Sequence, residues 1–169
     1  RLASRIGEPL ARAALRQAMR IMGHQFVMGR TIEEALERAG GSRERLYRYS
    51  FDMLGEAALT RADADRYFEK YREAIAAVGG RERPDRDMAA RHSISVKLSA
   101  LHPRYEFSQR RRVLEELGPR LLSLVELARA AGIGITVDAE EADRLELSLM
   151  LIDRVLASPV TDGYDGFGL

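Results

Sequence analysis

The first third of the chain carries apolar residues at helical spacing. Leu10, Ala14, Ala18 and Met22 recur every four positions, which is the pattern of one helix face. Pro9 stands just before them, and proline suits a first helical position because its missing N–H has no partner there. The pattern therefore predicts a helix that begins at about Pro9.

A second helix is predicted to begin after Thr31. Thr31 and Glu34 have the spacing of a capping box, in which the hydroxyl and the carboxylate each accept a backbone N–H at the helix start. Gly40 and Gly41 follow, and glycine can adopt the left-handed conformation that stops a helix. We therefore expect residues 1–45 to form a helical lead-in segment.

From residue 46 onward, β-favouring runs alternate with helical patterns. The runs are Tyr47–Leu54, Ser93–Leu98, Gly134–Asp138 and Gly166–Leu169. Helices are predicted after a cap formed by Thr60 and Asp63, over 108–131 with a break or kink at Pro119, and over 140–156. Such alternation predicts parallel strands covered by helices, so the expected fold class is α/β.

Polar side chains form one of the two rows along the predicted strands, since successive residues point to opposite faces. In the second strand the rows are Ile94, Val96 and Leu98 against Ser95, Lys97 and Ser99. Asp138 has the same parity in the third strand, and parity carries Glu56 to the polar side just past the first. Barrel enzymes build active sites at the carboxyl ends of their strands, so Lys97, Asp138 and Glu56 are the candidate site residues. The alternative is that they are solvated loop charges, or that Lys97 and Asp138 form a structural ion pair.

Composition removes several classes of function. Lys+Arg 27 against Asp+Glu 26 gives a net charge of +1, which lacks the basic excess of a generic nucleic-acid binder. The absence of cysteine excludes disulfides, thiolate metal sites and cysteine nucleophiles. No apolar run approaches the roughly 18 residues of a membrane span. His24, His92 and His102 lack the spacing of a zinc motif, so no metal site is expected.

Three stretches carry a resemblance to a known family. They are YSFDMLGEAAL at 49–59, SISVKLSALHPRYE at 93–106 and ITVDAEEADRLELSL at 135–149. They resemble the proline dehydrogenase barrel of the bacterial proline utilization A (PutA) family, and residues 7–36 resemble the helical segment that leads into that barrel. The resemblance implies that residues 46–169 form the N-terminal half of a (β/α)8 TIM-type barrel, its first three to four βα units.

The resemblance also implies an activity. Proteins of this family use FAD to oxidise L-proline to pyrroline-5-carboxylate, pass electrons to membrane quinone, and oxidise the product to glutamate with NAD in a second domain. Lys97 falls on the lysine that meets the substrate carboxylate near the flavin, and Asp138 on the aspartate that ends the third strand, so both are implied cofactor contacts. Glu56 falls on the glutamate that pairs with an arginine of the last barrel helix and helps close the site.

The resemblance further implies a cytoplasmic homo-oligomer that can lie at the inner membrane face, with DNA binding only through another domain. Because the chain has no initiator Met and a whole barrel needs about 250 residues, we expect a piece of a longer protein that is inactive alone. Two other readings stay open. Lys97 could form a Schiff base in an aldolase-type barrel, or the chain could be an inert fragment or interaction module.

Overall fold

A computed structural model describes residues 2–41, 47–82 and 87–169 of the chain. The chain divides into two compact units, Arg1–Leu46 and Tyr47–Leu169, and each is described here by itself. Within the described ranges, none of the helices combines the length and the apolar character that a membrane crossing requires.

The first unit consists of two helices, α1 (Leu2–Phe26) and α2 (Ile32–Ala39). Pro9 lies inside α1 and does not begin it, because the helix continues past the single hydrogen bond that proline removes. The Thr31 hydroxyl accepts the Glu34 N–H, as expected, but the Glu34 carboxylate accepts from Arg30 N at 2.8 Å. Gly40 ends α2 with an ordinary right-handed conformation (φ −75°), so the predicted left-handed stop is wrong.

The second unit alternates strands with helices. Its strands are β1 (Ser50–Asp52), β2 (Ser93–Val96), β3 (Gly134–Val137) and β4 (Phe167–Gly168). Its helices are α3 (Arg61–Gly79), α4 (Leu98–Leu101), α5 (Arg110–Ala131) and α6 (Leu145–Leu156). Short 3₁₀ turns lie at Met88–Ala90, Phe107–Gln109, Ala142–Arg144 and Pro159–Thr161. The polar composition of residues 80–91, which include Pro84, predicts a loop, and residues 83–86 fall outside the described residues.

The four strands form one parallel sheet in the order β1-β2-β3-β4. This confirms the α/β class and the strand alternation. The aliphatic row of the sheet is buried, with Ile94, Val96 and Ile135 at 0% exposure. The helices contribute a larger group of buried side chains, among them Tyr71, Ile75, Val78, Leu117, Leu121, Leu124 and Leu151. Burial of this apolar surface is the main stabilising contribution to the unit.

Two element boundaries differ from expectation for local reasons. The predicted break at Pro119 is wrong, because α5 runs through it with Leu117 and Leu121 fully buried on either side. The alternative, a kink at Pro119, stays a prediction. β2 ends at Val96, and Leu98 belongs to the one-turn helix α4. Lys97 therefore stands at the junction of a strand and a helix.

A group of charged side chains also connects the helices α3 and α5 through ion pairs. Glu116 on α5 lies 3.0 Å from the guanidinium of Arg61 on α3 and 2.8 Å from that of Arg112. His102 Nε2 is buried 3.4 Å from the same carboxylate and has no hydrogen-bond partner in the described part of the chain. Burial lowers the pKa of His102 in spite of the nearby Glu116. We refer to these four side chains as the helix-rim cluster.

Candidate active site

The strand register brings polar residues together at one edge of the sheet. Asp52 on β1 pairs with Ser95 on β2, which pairs in turn with Thr136 on β3. Lys97 follows β2 directly, and Asp138 follows β3. All five share the parity of the face opposite the aliphatic row. The carboxyl ends of the first three strands thus present one polar surface.

Lys97 joins the two neighbouring strands through its ammonium group. Its Nζ lies 2.7 Å from Asp52 Oδ2 and 2.8 Å from Asp138 Oδ2. The Ser95 hydroxyl donates a hydrogen bond to the other oxygen of Asp138. The Lys97 side chain is only 16% exposed, while Asp52 and Asp138 are 40% and 27% exposed. We call Asp52, Lys97 and Asp138 the strand-end cluster.

The two carboxylates hold Lys97 in its charged form. Partial burial opposes the ammonium, but hydrogen bonds and charge attraction from Asp138 and Asp52 outweigh it and raise the pKa of Lys97 above its usual range. An ammonium has three N–H donors, and the two carboxylates take two of them. Within the described ranges no other residue accepts from this ammonium, so one donor remains for a ligand.

Tyr71 fixes the backbone of Lys97 from the helix layer. Its hydroxyl oxygen accepts the Lys97 backbone N–H at 3.1 Å, and its side chain is 1% exposed. Burial raises the pKa of Tyr71 to about 12. The phenol is thus neutral at physiological pH and serves as a fixed, uncharged acceptor.

Lys97 and Asp138 are brought together as the sequence predicted, and Glu56 is not. Glu56 is exposed, four residues beyond the end of β1, and no ion pair or hydrogen bond of its carboxylate involves any residue in the described ranges. The alternation of strand side chains stops with β1 at Asp52, so parity did not carry to Glu56. The role of Glu56 stays a prediction.

Asp52 is the cluster member that sequence reasoning missed. It occurs in the polar row of the first predicted strand. The functional role, however, is assigned from the sequence to Glu56, four residues further along the chain. The signal was available: Asp52 is the last residue of β1, at the position in its strand that corresponds to Ser95. A residue paired in the sheet, or directly following a paired strand, has its orientation set by the register, and a residue four positions past the strand does not.

Beside Asp138, an open cleft with a volume of about 210 Å³ runs along α6. Glu140, Tyr105 and Ser148 contribute polar atoms to it, and Leu145, Leu149 and Ile152 line its apolar wall. Across the described ranges, no three His, Asp or Glu side chains are grouped as a metal site would require.

Comparison with known proteins now decides the family. The family model for proline dehydrogenase matches residues 35–169, which include the whole sheet and the strand-end cluster. The chain belongs to the proline dehydrogenase family.

Among its relatives, the bifunctional protein PutA of Klebsiella aerogenes is 52% identical over 168 residues, which is 99% of this chain and 13% of the relative. A crystal structure of a mutant of Bradyrhizobium japonicum PutA superposes with a TM-score of 0.79 at 55% identity, covering 100% of this chain and 17% of that one. PutA from Bdellovibrio bacteriovorus, inactivated by N-propargylglycine, gives a TM-score of 0.83 at 25% identity over 94% of this chain and 18% of that one. The chain thus spans a small fraction of the length of these relatives.

Proposed function

We propose that this domain contributes the substrate-facing strand ends of an FAD-dependent proline dehydrogenase, which oxidises L-proline to pyrroline-5-carboxylate. The observation that carries the proposal is the strand-end cluster, an ammonium held between two carboxylates with one donor left. Membership of the proline dehydrogenase family gives the reaction class. The bifunctional relative supports a second activity in the same polypeptide. We propose that this activity oxidises the product to glutamate with NAD.

The cluster is complementary in charge to a zwitterionic amino acid. Proline carries a carboxylate and a secondary ammonium bonded to the same carbon atom, and Lys97 and Asp138 present an ammonium and a carboxylate 2.8 Å apart. The remaining N–H of Lys97 donates to the substrate carboxylate, and Asp138 accepts from the substrate nitrogen. Inactivation of a PutA relative by N-propargylglycine, whose nitrogen is also secondary, supports this substrate class.

The donor set of the cluster also fits a flavin. A flavin ring has oxygens and nitrogens that accept hydrogen bonds and one ring N–H that donates, so Lys97 and Asp138 are the residues of this chain that would border it. When bound, FAD supplies the hydride acceptor. Ser95 and Tyr71 keep Asp138 and Lys97 in place through their hydrogen bonds. Charges fixed in this way need no reorganisation during the reaction.

The architecture supports half of a (β/α)8 barrel. Four parallel strands in sequential order, joined by helices, are the arrangement that one half of such a barrel has. Residues 1–45 then form a helical lead-in and residues 46–169 the first βα units. Expressed alone, this chain does not oxidise proline in our proposal, because the domain is a small fraction of its relatives.

The partners and location that we propose follow from family membership alone. They are L-proline as substrate, membrane quinone as electron acceptor, a homo-oligomer, and a cytoplasmic site that extends to the inner membrane face. DNA would be bound only by a different domain. Glu56 closes the site by pairing with an arginine outside this chain.

A Schiff-base reaction at Lys97 is disfavoured by the geometry. A lysine nucleophile must lose its proton, and such lysines are activated by apolar surroundings or a neighbouring cation. Lys97 has the opposite environment, because Asp52 and Asp138 raise its pKa. The second alternative, an inert or purely structural module, predicts no effect of cluster substitutions on proline oxidation.

The experiment uses the native polypeptide that carries this domain. L-Proline is added under anaerobic conditions, and loss of the oxidised flavin absorbance is followed. We expect Lys97→Met to lower the second-order rate constant of flavin reduction by L-proline by at least about tenfold, because a charge-assisted contact is lost. Lys70→Met is the matched control, since Lys70 is the only other lysine of the chain and is exposed on α3. A flavin that proline leaves oxidised, or equal rates in both variants, would contradict the proposal.

A further inference from the structure

Ser99 ties together the loops that follow three different strands. It lies in α4, two residues after Lys97, and is 2% exposed. Its backbone N–H, its hydroxyl oxygen and its carbonyl oxygen each form a hydrogen bond with another segment of the chain. Its backbone N–H donates to Glu140 Oε1 at 3.0 Å, which connects α4 to the loop after β3.

The other two contacts of Ser99 hold the loop after β1. Its hydroxyl oxygen accepts the Ala57 N–H at 3.2 Å, and its carbonyl oxygen accepts the Ala58 N–H at 2.9 Å. These bonds grip the residues that directly follow Glu56. They are the hydrogen bonds by which the described structure connects the Glu56 loop to the segment that begins at Lys97.

The backbone of this loop is unusual on both sides of Glu56. Gly55 has φ +129°, and Ala57 has φ +55°, a conformation that non-glycine residues rarely adopt. A Cβ on Gly55 would lie 2.7 Å from the ring of Tyr67. A strained non-glycine conformation persists only where its surroundings hold it. At Ala57, the bond to the Ser99 hydroxyl is such a restraint.

We propose that Ser99 is a positioning residue for the reaction, acting on Glu56 through Ala57 and Ala58. Its hydroxyl holds Ala57 in the left-handed conformation, and that conformation sets the direction in which the Glu56 carboxylate leaves the loop. Because the same residue continues the segment of Lys97, the distance between the Glu56 loop and the strand-end cluster is fixed at Ser99. The inference rests on the proposed function of Glu56 in closing the site.

The test is a double-mutant cycle in the native flavoenzyme. Ser99→Ala removes the acceptor of the Ala57 N–H and nothing else that the structure describes. We expect kcat/KM for L-proline to fall by about tenfold or more, since small misplacements of a site residue are costly. Glu56→Gln should cause a loss of at least similar size. The double variant should be no slower than Glu56→Gln, because Ser99 acts through Glu56.

Ser158→Ala is the matched control for lost stability. The Ser158 hydroxyl also accepts a backbone N–H, that of Val160 at 3.3 Å, in the turn before β4. We expect it to leave kcat/KM within about twofold, the effect of an ordinary surface substitution. Ser99→Thr keeps the hydroxyl. On a logarithmic scale, its loss of kcat/KM for L-proline should be less than half of the loss in Ser99→Ala. Melting temperatures identify any variant whose loss comes from unfolding.

Each result decides one question. If the wild-type flavin is not reduced by proline, the proposed function fails. If wild type is active and Ser99→Ala matches Ser158→Ala, only the role of Ser99 is overturned. Multiplicative losses in the double variant, or full activity of Glu56→Gln, also overturn it, because Ser99 would then not act through Glu56.

Discussion

The strand-end cluster and the helix-rim cluster combine the same kinds of charge in opposite proportion. At the strand ends, one ammonium is shared by two carboxylates at 2.7 and 2.8 Å. At the helix rim, the Glu116 carboxylate is shared by two guanidinium groups and lies near one imidazole. The first arrangement raises the pKa of a base, and the second lowers the pKa of Glu116, mainly through the hydrogen bond from Arg112.

The two clusters differ more in the structural elements that fix their side chains than in the charges that they contain. Asp52, Lys97 and Asp138 end or directly follow paired strands, so the sheet register sets their positions. Arg61 and Arg112 reach Glu116 with long side chains that are 56% and 53% exposed. Charges placed by backbone pairing are preorganised, whereas exposed arginines exchange with water. Of the two, the strand-end cluster is therefore the preorganised one, as our proposed function requires.

The largest difference between the clusters should be in activity. In the native enzyme, Asp138→Asn should lower kcat/KM for L-proline by about 100-fold, because a neutral amide cannot pair with the substrate ammonium. Asp52→Asn should cost about tenfold, since Asp52 acts through Lys97. Glu116→Gln should stay within about twofold, as for most changes away from a site. Steady-state turnover of L-proline with excess quinone as electron acceptor measures all three. A Glu116 effect as large as that of Asp138 would remove the distinction between the clusters.

The backbone at the strand ends should tolerate little change. Gly55→Ala places a Cβ at φ +129° against the Tyr67 ring, and we expect a loss of about 1–3 kcal/mol in the free energy of unfolding. Gly163→Ala is the control, because Gly163 has φ +67° and open space around its Cβ position. It should cost about 1 kcal/mol. Denaturant titration of both variants tests this, and equal losses would show that Tyr67 yields freely.

Alkaline pH should weaken the strand-end cluster, whereas changes of pH near neutrality should not affect it. Because the folded pKa of Lys97 is raised, its stabilisation is fully present below the ordinary lysine pKa of about 10.4 and is lost above it, as pH rises through the folded pKa. The melting-temperature difference between wild type and Lys97→Met should therefore be constant from about pH 6 to 9 and shrink beyond about pH 10.4. A difference that already falls between pH 7 and 9 would contradict a raised pKa.

Acid should weaken the helix-rim cluster, with the smallest effect of the series. A lowered pKa for Glu116 means that its stabilisation is present above the ordinary glutamate pKa of about 4.3 and is lost as pH falls through the folded value. Glu116→Gln should therefore lower the melting temperature slightly at neutral pH and not at all in strong acid. Added salt should shrink the neutral-pH difference. If the difference persists in strong acid, Glu116 acts by packing and not by charge.

The sequence correctly predicted the elements in which the local spacing of residues and the hydrophobic pattern indicate the same structure. The cap at Thr60 and Asp63 forms a complete capping box at the start of α3. The alternation around Ser95 and Lys97 placed the cluster on the correct face, because one buried face fixes strand parity. These predictions depend on local spacing, and the structure confirms them.

The misses depend on tertiary contacts. Pro119 does not break α5 because the side chains around it are buried in the core. Parity predicts Glu56 on the polar side only if the strand extends through Gly55, whose positive φ angle ends any strand. No local pattern reports that Ser99 receives the Ala57 N–H from a segment 42 residues away. Such a contact is specified by the fold as a whole.

Because the chain contains only two lysines, chemical modification of Lys97 can report on the strand-end cluster. Lys70 and Lys97 carry the two ε-amines of this chain, one exposed and one enclosed between carboxylates. Amine-reactive reagents attack the unprotonated form, so a brief treatment should acylate the Lys70 peptide and spare the Lys97 peptide. The ratio of the two acylated peptides in a mass spectrum would then measure the fraction of the protein in which Lys97 stays paired with Asp52 and Asp138.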